Sequence, residues 1–363
     1  MKYIPVIILS VFLLTQNSLY AEEGSFTICD VKSDNITYDN SAGKILLSCR
    51  GNPPVYSSSL NIINPEDLNI EKSFQFNGLV NFACFVGSCS SLLVLLYETD
   101  GNPRTNESEL LKLDYETGDI ISNLPFNDSM FEMTLDNQGS YAYVICNKPP
   151  PPPNTLKIIK ISLSNFQIID EVIFGKFADD IEIAPDGSKI YANSINIYPS
   201  HPSARVPGIG VFRTSDMERI KRFSLPNYPP HLMEMSDDGS KLFIASSNDL
   251  ETDWGADLYI IDTQTDEIAQ KLRFYYNGME TATYSLAYCG SNNKLYCSAQ
   301  PKTDPTYPYS NLILELDLTD YSYSFFTMGD NPLSRIALAE YDGHRRLFAI
   351  EEGTPVVHYK DLD

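Results

Sequence analysis

Residues 179–193, DDIEIAPDGSKIYAN, contain an alternating stretch, a turn that ends in Gly187, and a second stretch rich in Ile and Tyr. Residues 231–246, HLMEMSDDGSKLFIAS, repeat this pattern, with the turn glycine 52 residues further along the chain. A glycine-containing tight turn between two alternating segments is a strong signal for a β-hairpin. The pattern therefore predicts a repeated unit that begins with two strands joined by a short turn.

Seven copies of this unit can be aligned, about 48 to 52 residues apart. Five are clear and two, near Ser90 and Asn293, are degenerate; the turn glycines of the clear copies are Gly43, Gly139, Gly187, Gly239 and Gly343. A second marker, such as Ile261-Asp262-Thr263, follows each of the first six hairpins and precedes a fourth strand. Four strands repeated at this period predict an all-β, seven-bladed β-propeller of four-stranded antiparallel blades.

The two ends of the chain carry different signals. Residues 1–21 have one Lys, an apolar run and a polar end, which is typical of a secretory signal peptide; an N-terminal anchor is the alternative. We expect residues 22–363 to form a single propeller domain. The seventh copy, residues 335–363, holds only about three strands, so we expect the segment from Ser25 to Asp30 to supply its outer strand and close the ring.

The composition excludes several classes of partner. The 363 residues carry a formal net charge of −22, whereas binding to nucleic acid or an anionic membrane needs a basic face. No stretch after the signal reaches the roughly 18 apolar residues of a membrane span. We therefore expect a secreted or periplasmic protein, monomeric and not membrane-spanning once the signal is removed.

Pro185-Asp186-Gly187-Ser188-Lys189-Ile190-Tyr191 and residues 236–243, SDDGSKLF, are each followed by a marker such as Ile261-Asp262-Thr263-Gln264-Thr265. These segments resemble the YVTN-type propeller repeats. Such repeats occur in exported surface-layer-like proteins, amine dehydrogenase large chains and lactonase-like propellers. The resemblance covers nearly all of the mature chain and implies the fold, while the activity has to be argued from a site.

Seven cysteines follow the predicted signal, and an exported protein can form disulfides. Cys289 and Cys297 flank one predicted hairpin, and Cys84 and Cys89 flank another, so we expect a bridge within each pair. The odd count leaves at least one thiol free or intermolecular. None of the seven lies in a CxxC or CxxCH motif, so neither a zinc ribbon nor a covalent haem is indicated.

Proline is concentrated in the loops that one end of the propeller should carry. The loops after the second and fourth strands emerge at the same end, and they hold 19 of the 23 prolines. Aromatic residues that suit a recognition surface stand in the loops after the second strands, and we predict that they bind the ligand: Trp254, Tyr198, Tyr307 and Tyr309. The alternative is that proline only keeps long loops from joining the sheets.

The starts of the first strands should lie at the channel mouth on the same end. His231, Arg335 and Asp179 occupy such positions and form a candidate acid/base and anion-binding set. Adjacent positions add three candidate ligand-binding carboxylates: Asp180, Glu280 and Asp330. A ring of carboxylates could also hold one Ca²⁺ in the central channel. The alternative is that channel mouths are wet, so polar residues belong there without any chemistry.

Three functions fit these observations. The first is an exported non-enzymatic binding module that holds a protein, glycan or envelope component on its Pro/Tyr-rich face. The second is a lactonase-like hydrolase that uses His231 as base and Arg335 to stabilise oxyanion charge. The third is a subunit of a periplasmic dehydrogenase, whose redox cofactor would come from a partner chain. The sequence itself predicts no cofactor and no transition-metal site, since its four histidines are scattered.

Overall fold

A computed structural model describes residues 23–51, 57–87, 89–98, 107–126, 128–148, 155–175, 178, 180–194, 206–225, 230–247, 256–301 and 310–362. In these ranges the chain forms 29 strands in seven antiparallel sheets and contains no helix. The predicted all-β, seven-bladed propeller is confirmed. Among the described residues there is no helix long and apolar enough to cross a membrane. The chain divides into two compact units, residues 1–123 with 335–363 and residues 124–334.

Sheets one and two follow each other in the first unit, and each runs in sequence order from its first to its fourth strand. The N-terminal strand, β1 (Glu23–Thr27), precedes them and pairs elsewhere. Sheet one consists of β2 (Lys32–Asp39), β3 (Lys44–Arg50), β4 (Ser58–Ile63) and β5 (Ile70–Phe76). Sheet two consists of β6 (Leu79–Val86), β7 (Ser91–Glu98), β8 (Glu107–Asp114) and β9 (Ile120–Phe126).

Sheets three to six form the second unit in the same up-and-down order. Sheet three is β10 (Ser129–Leu135), β11 (Tyr141–Lys148), β12 (Thr155–Ser162) and β13 (Gln167–Gly175); sheet four is β14 (Ile181–Ile183), β15 (Lys189–Ser194), β16 (Gly208–Arg213) and β17 (Arg219–Ser224). Sheet five is β18 (Pro230–Met235), β19 (Lys241–Ser247), β20 (Ala256–Asp262) and β21 (Glu267–Leu272); sheet six is β22 (Phe274–Tyr276), β23 (Met279–Cys289), β24 (Lys294–Pro301), β25 (Leu312–Asp317) and β26 (Tyr323–Thr327).

Sheet seven is completed by the N-terminal strand, as the sequence predicts. Its order is β1-β29-β28-β27, with β27 (Leu333–Tyr341), β28 (His344–Glu351) and β29 (Val356–Asp361). Phe26 of β1 pairs with Val357 of β29, so the first strand lies on the outer edge of the last sheet. A Cβ at Gly24 would come within 2.5 Å of the Tyr359 hydroxyl oxygen, which is why a glycine fits here.

The turn glycines have the backbone conformation that the hairpins require. Gly187 has φ +71° and Gly239 has φ +67°, in the left-handed region that side chains disfavour. Sheet six replaces the glycine by Asn293 at φ +54°, because Asn tolerates this region better than most residues. Asn293 in this degenerate copy therefore has the same left-handed backbone conformation as the turn glycines of the clear copies.

Sheet six has a fifth strand that the four-strand repeat did not predict. Strand β22 pairs with β23 from Phe274↔Thr281 to Tyr276↔Met279. The two strands are joined by Asn277 and Gly278, both with positive φ. Asn-Gly is the preferred two-residue hairpin turn, so the signal for this extra strand is present in the sequence.

Apolar layers fill the space between consecutive sheets within each unit. In the second unit, one layer joins sheets three and four around Tyr143, Ile158 and Phe212. The next layers join sheets four and five, and then five and six. The second strand of a sheet packs against apolar neighbours on both faces, so Leu92 to Leu95 of β7 form a continuous buried run. Each sheet thus obtains its core from its neighbours, as repeat architectures do.

Candidate functional site

The first strands of sheets three to six contact one another in sequence, β10 with β14, β14 with β18, and β18 with β23. First strands of a propeller line its central channel. The residues at which these four strands begin therefore lie at one end of the second unit, which is called its mouth, and the candidate site is described for this unit alone.

The predicted site residues fall into three groups. Asp179, Trp254, Tyr198, Tyr307 and Tyr309 lie outside the described residues. His231, Asp180, Glu280 and Asp330 belong to the second unit, whereas Arg335 begins the C-terminal part of the first. The described geometry accordingly concerns His231 and the three carboxylates, and their predicted roles remain predictions.

Asp180 is buried and connects sheets four and five. Its carboxylate accepts the backbone N–H of Ile181 at 2.8 Å and that of Met233 in β18 at 2.5 Å. Its own backbone N–H donates to the Asn193 side-chain oxygen at 3.1 Å, and the Asn193 amide donates to the carbonyl oxygen of His231. The register of β18 shifts between Pro230 and Met233, so backbone groups there have no partner in the sheet. The bonds to Asp180 and Asn193 satisfy these groups.

His231 lies at the start of β18 and faces the neighbouring sheet. Its ring is 5.7 Å from the ring of Tyr284 in β23, tilted by 48°. The Tyr284 hydroxyl donates to the side-chain oxygen of Gln300 at 2.7 Å, and Gln300 is buried. The imidazole is therefore held against an aromatic ring whose own position is fixed by a hydrogen bond.

Two glutamates with raised pKa values lie two to three residues further along the first strands. Burial, together with the charges of Asp180, Glu234 and Glu132, holds the pKa of Glu182 well above its usual range. Burial and Asp180 raise the pKa of Glu234 to about 8, although its carboxylate accepts the Tyr288 backbone N–H. Carboxyl groups that keep a proton near neutral pH can donate hydrogen bonds or act as general acids.

Sequence reasoning missed this pair, although a signal exists. Glu182 and Glu234 each stand five residues before the turn glycine of their repeat. Each lies opposite an aromatic residue of the second strand, Tyr191 and Phe243 respectively. The two glutamates occupy the same position in consecutive repeats. This position alone predicts that they lie side by side on adjacent first strands.

Glu280 belongs to a charged cluster around Asp257. The buried Asp257 carboxylate is 2.7 Å from Arg273 Nε and 2.8 Å from Lys271 Nζ, and it accepts the Tyr259 hydroxyl at 3.1 Å. Glu280 Oε1 accepts the Ala256 backbone N–H at 3.4 Å and lies 3.8 Å from Arg273 Nε. This cluster compensates a buried charge with two cations. Asp330, in contrast, is exposed between β26 and β27.

The expected Ca²⁺ in the channel remains a prediction. In the part of the chain that the structure describes, no group of three or more His, Cys, Asp or Glu side chains is arranged to hold a metal ion. The carboxylate of Asp180 already accepts two backbone N–H groups, which leaves it less able to serve as a ligand.

The predicted disulfide pairs are wrong. All seven cysteines are described, and the one bridge joins Cys29 to Cys49, 20 residues apart in sequence. Cys297 lies opposite Leu286, three residues from Cys289, so the two positions are roughly 10 Å apart along the hairpin, beyond the reach of a disulfide. The thiol of Cys89 donates to the Ser41 carbonyl in sheet one at 3.4 Å, away from the strand that holds Cys84. A disulfide indicates an oxidising environment.

The comparisons with solved structures support the fold. The chain is similar to the β-propeller domain of Myceliophteria thermophila Cps50 (Swd1), with a TM-score of 0.69 and 8% identity over 94% of this chain and 100% of that one. It is also similar to the Kuenenia stuttgartiensis hydrazine synthase, with a TM-score of 0.70 and 13% identity over 91% and 96% of the two chains. No protein-family model and no curated sequence matches the chain. The similarity to YVTN-type repeats therefore stays a prediction.

Proposed function

We propose that the protein is an exported, non-enzymatic binding propeller that recognises a protein, glycan or envelope component through its Pro/Tyr-rich loops. One observation carries this proposal. Two polar groups described at the mouth join neighbouring sheets: the Asp180 carboxylate accepts the Met233 backbone N–H, and the Asn193 amide donates to the carbonyl oxygen of His231. Polar groups used in this way make the mouth a rigid scaffold for the loops rather than a set of reactive groups. Variable loops on a rigid scaffold are typical of binding proteins.

Export is supported by two independent features. The first 21 residues have the composition of a signal peptide. The Cys29–Cys49 disulfide requires an oxidising compartment to persist. Together they favour a periplasmic or extracellular protein.

The proposal is tested by loop exchange. Residues 197–207 and 301–310 are replaced by short turns in the mature protein, and wild type and chimera are applied to a glycan array and to immobilised envelope polymers. We expect the wild type to bind and the chimera to lose binding while its unfolding temperature stays within a few degrees. Gln264→Ala, an exposed change in a turn at the opposite end, is the matched control and should bind like wild type. Binding by the chimera that equals that of the wild type would refute the proposal.

A lactonase-like hydrolase is the second candidate, and the raised pKa of Glu234 favours it. A carboxylic acid with a pKa of about 8 on the strand that also carries His231 would supply a proton donor in addition to a base. The test is turnover of a panel of lactones by the wild type, His231→Ala and Tyr284→Phe. Hydrolysis that is lost in His231→Ala but kept in Tyr284→Phe would support this alternative. Absence of turnover in the wild type supports the binding function.

A further inference from the structure

Four acidic side chains cluster on three consecutive first strands of the second unit. Glu132 lies in β10, Glu182 in β14 and Glu234 in β18, while Asp180 directly precedes β14. Strand β10 contacts β14, and β14 contacts β18. Glu132 and Asp180 stand seven residues before the turn glycines of their repeats, and Glu182 and Glu234 stand five before theirs. Because residues two apart on a strand point to the same side, the four acids form one group on two adjacent levels, which we call the carboxyl cluster.

The strands that carry the carboxyl cluster supply no lysine or arginine. The titratable groups on the strands and turns around Glu234 come from all four sheets of the second unit: Asp180 and Glu182 of sheet four, His231 and Asp237 of sheet five, Tyr284 and Tyr288 of sheet six, and, one strand further away, Glu132 of sheet three. The charges that raise the pKa of Glu182 and Glu234 are those of acids alone.

The cations on the second strands of sheets four to six are used elsewhere. Lys189 pairs with Asp266, Lys294 pairs with Glu315, and Lys241 acts on the turn residue Asp238. Carboxyl groups that share a site without a cation cannot all ionise without strong repulsion. Protons therefore limit the charge of the carboxyl cluster.

Asp180 is the member of the cluster that joins sheet four to sheet five. Its carboxylate accepts the backbone N–H of Met233, where the register of β18 shifts. The carbonyl oxygen of His231, in the same irregular stretch, accepts the Asn193 amide. These two bonds hold the start of β18 to sheet four. Ionisation of the two glutamates of the cluster would place further negative charge beside the carboxylate that makes the first bond.

We infer that the junction of sheets four and five is a pH-responsive hinge, closed while Glu182 and Glu234 hold protons and opened when these protons are lost to water. In the open state both carboxyl groups reach solvent, where a glutamate ionises near about pH 4.3, so opening releases protons and is favoured as the pH rises. Opening frees the start of β18, and with it His231 and this part of the mouth. The inference concerns the protein alone and does not depend on the proposed function.

The experiment is hydrogen exchange of the mature protein between pH 6 and pH 8, with EDTA present so that a bound cation cannot replace the protons. Protection factors correct for the intrinsic pH dependence of exchange. Protection of residues 230–235 should fall at least about tenfold over this range, because each proton released on opening favours the open state by up to about tenfold per pH unit. At pH 8, residues 256–262 of β20 in the same sheet should be at least about tenfold better protected. No loss in residues 230–235, or equal protection of the two segments at pH 8, would overturn the inference.

Variants assign the pH dependence to the cluster. Glu182→Gln with Glu234→Gln removes both titrating groups and keeps their shape, so the protection of residues 230–235 should change by less than about threefold between pH 6 and pH 8. Glu267→Gln with Asp170→Asn removes two acidic charges from exposed outer strands and should keep the wild-type dependence. A wild-type dependence in the first variant would refute the assignment.

Infrared spectroscopy of the wild type keeps the inference testable even where the double variant folds poorly. Infrared spectra distinguish a protonated carboxyl group from a carboxylate, and exposed acidic side chains are ionised at pH 6. The wild type should show protonated carboxyl groups at pH 6 that disappear by pH 9. Their absence at pH 6 would contradict the hinge.

Discussion

The inner and outer edges of the sheets in residues 124–334 use polar and apolar residues in opposite ways. On the inner edge, polar groups such as the buried Asp180 and Asn193 and the half-buried Glu234 make hydrogen bonds from one sheet to the next. On the outer edge, large apolar side chains such as Ile168 and Ile173 stand in solvent. Neighbour contacts stabilise a repeat protein, so the inner edge, where sheets converge, is constrained, while the outer edge is free to vary or to bind.

Strand β1 is an exception among the outer strands, because a disulfide holds the chain next to it in place. In the first unit, β1 lies on the outer edge of sheet seven, and Cys29 just after it is bonded to Cys49 of β3 in sheet one. We expect Cys29→Ser with Cys49→Ser to destabilise the protein by about 3 kcal/mol, because a 20-residue loop is no longer closed in the unfolded chain. The measurement is the thermal unfolding midpoint, with Cys89→Ser as control. An unchanged midpoint would show that β1 is held by its strand pairing alone.

Removing a cross-link from the inner edge should have the next largest effect. Asp180→Ala leaves the backbone N–H of Met233 without its acceptor in a buried place, which should cost about 2 kcal/mol or more. Asp170→Ala on exposed β13 should change stability by less than about 0.5 kcal/mol. Urea unfolding of both variants gives the comparison, and equal losses would remove the distinction between the two edges.

The raised pKa of Glu234 makes the inner edge sensitive to pH. In the unfolded chain a glutamate ionises near pH 4.3, whereas in the folded protein Glu234 keeps its proton up to about pH 8. The folded state therefore binds more protons between these values, and this group costs stability progressively as the pH rises from about 4 to 8. Above pH 8 both states are ionised and the loss is complete.

Glu234→Gln should remove this dependence. The unfolding free energy of the variant minus that of the wild type should be larger at pH 8.5 than at pH 5, by about 1 kcal/mol or more. Glu267→Gln, on exposed β21, changes the net charge equally and should keep the wild-type pH profile. Parallel profiles of wild type and Glu234→Gln would contradict a protonated carboxyl group at the inner edge.

The smallest effect is expected on the outer edge. Ile173→Lys on β13 should alter the unfolding free energy by no more than about 0.5 kcal/mol, because half of the side chain is already exposed. Differential scanning fluorimetry suffices to measure it. A loss comparable to that of Asp180→Ala would show that the exposed isoleucines are part of the core and would remove the distinction between the two edges.

The repeat made the fold predictable. Turn glycines such as Gly187 and Gly239 recur at a nearly fixed period. Such a period can be recognised in the sequence without knowing which distant residues are in contact. The N-terminal outer strand was predictable from the shortfall of strands in the seventh copy. Strand β22 was not predicted because it lies outside the four-strand period, and its signal is the local turn Asn277-Gly278.

The site was less predictable because its chemistry depends on contacts between sheets. His231 and Asp180 were identified from their register, but nothing local shows that the Asp180 carboxylate bonds to Met233, 53 residues away. The same limit explains the cysteines, since sequence proximity suggested Cys289 with Cys297 whereas the bridge links Cys49 to a residue before sheet one. The raised pKa of Glu234 likewise arises from burial and from Asp180 on the neighbouring sheet.

The loop exchange at residues 197–207 and 301–310 tests the central claim most directly, that a rigid hydrogen-bonded mouth supports loops that bind. The account predicts that the chimera unfolds within a few degrees of the wild type and loses the glycan or envelope-polymer binding that the wild type shows. A wild type that binds none of these probes, or a chimera that binds as well as the wild type, would contradict it.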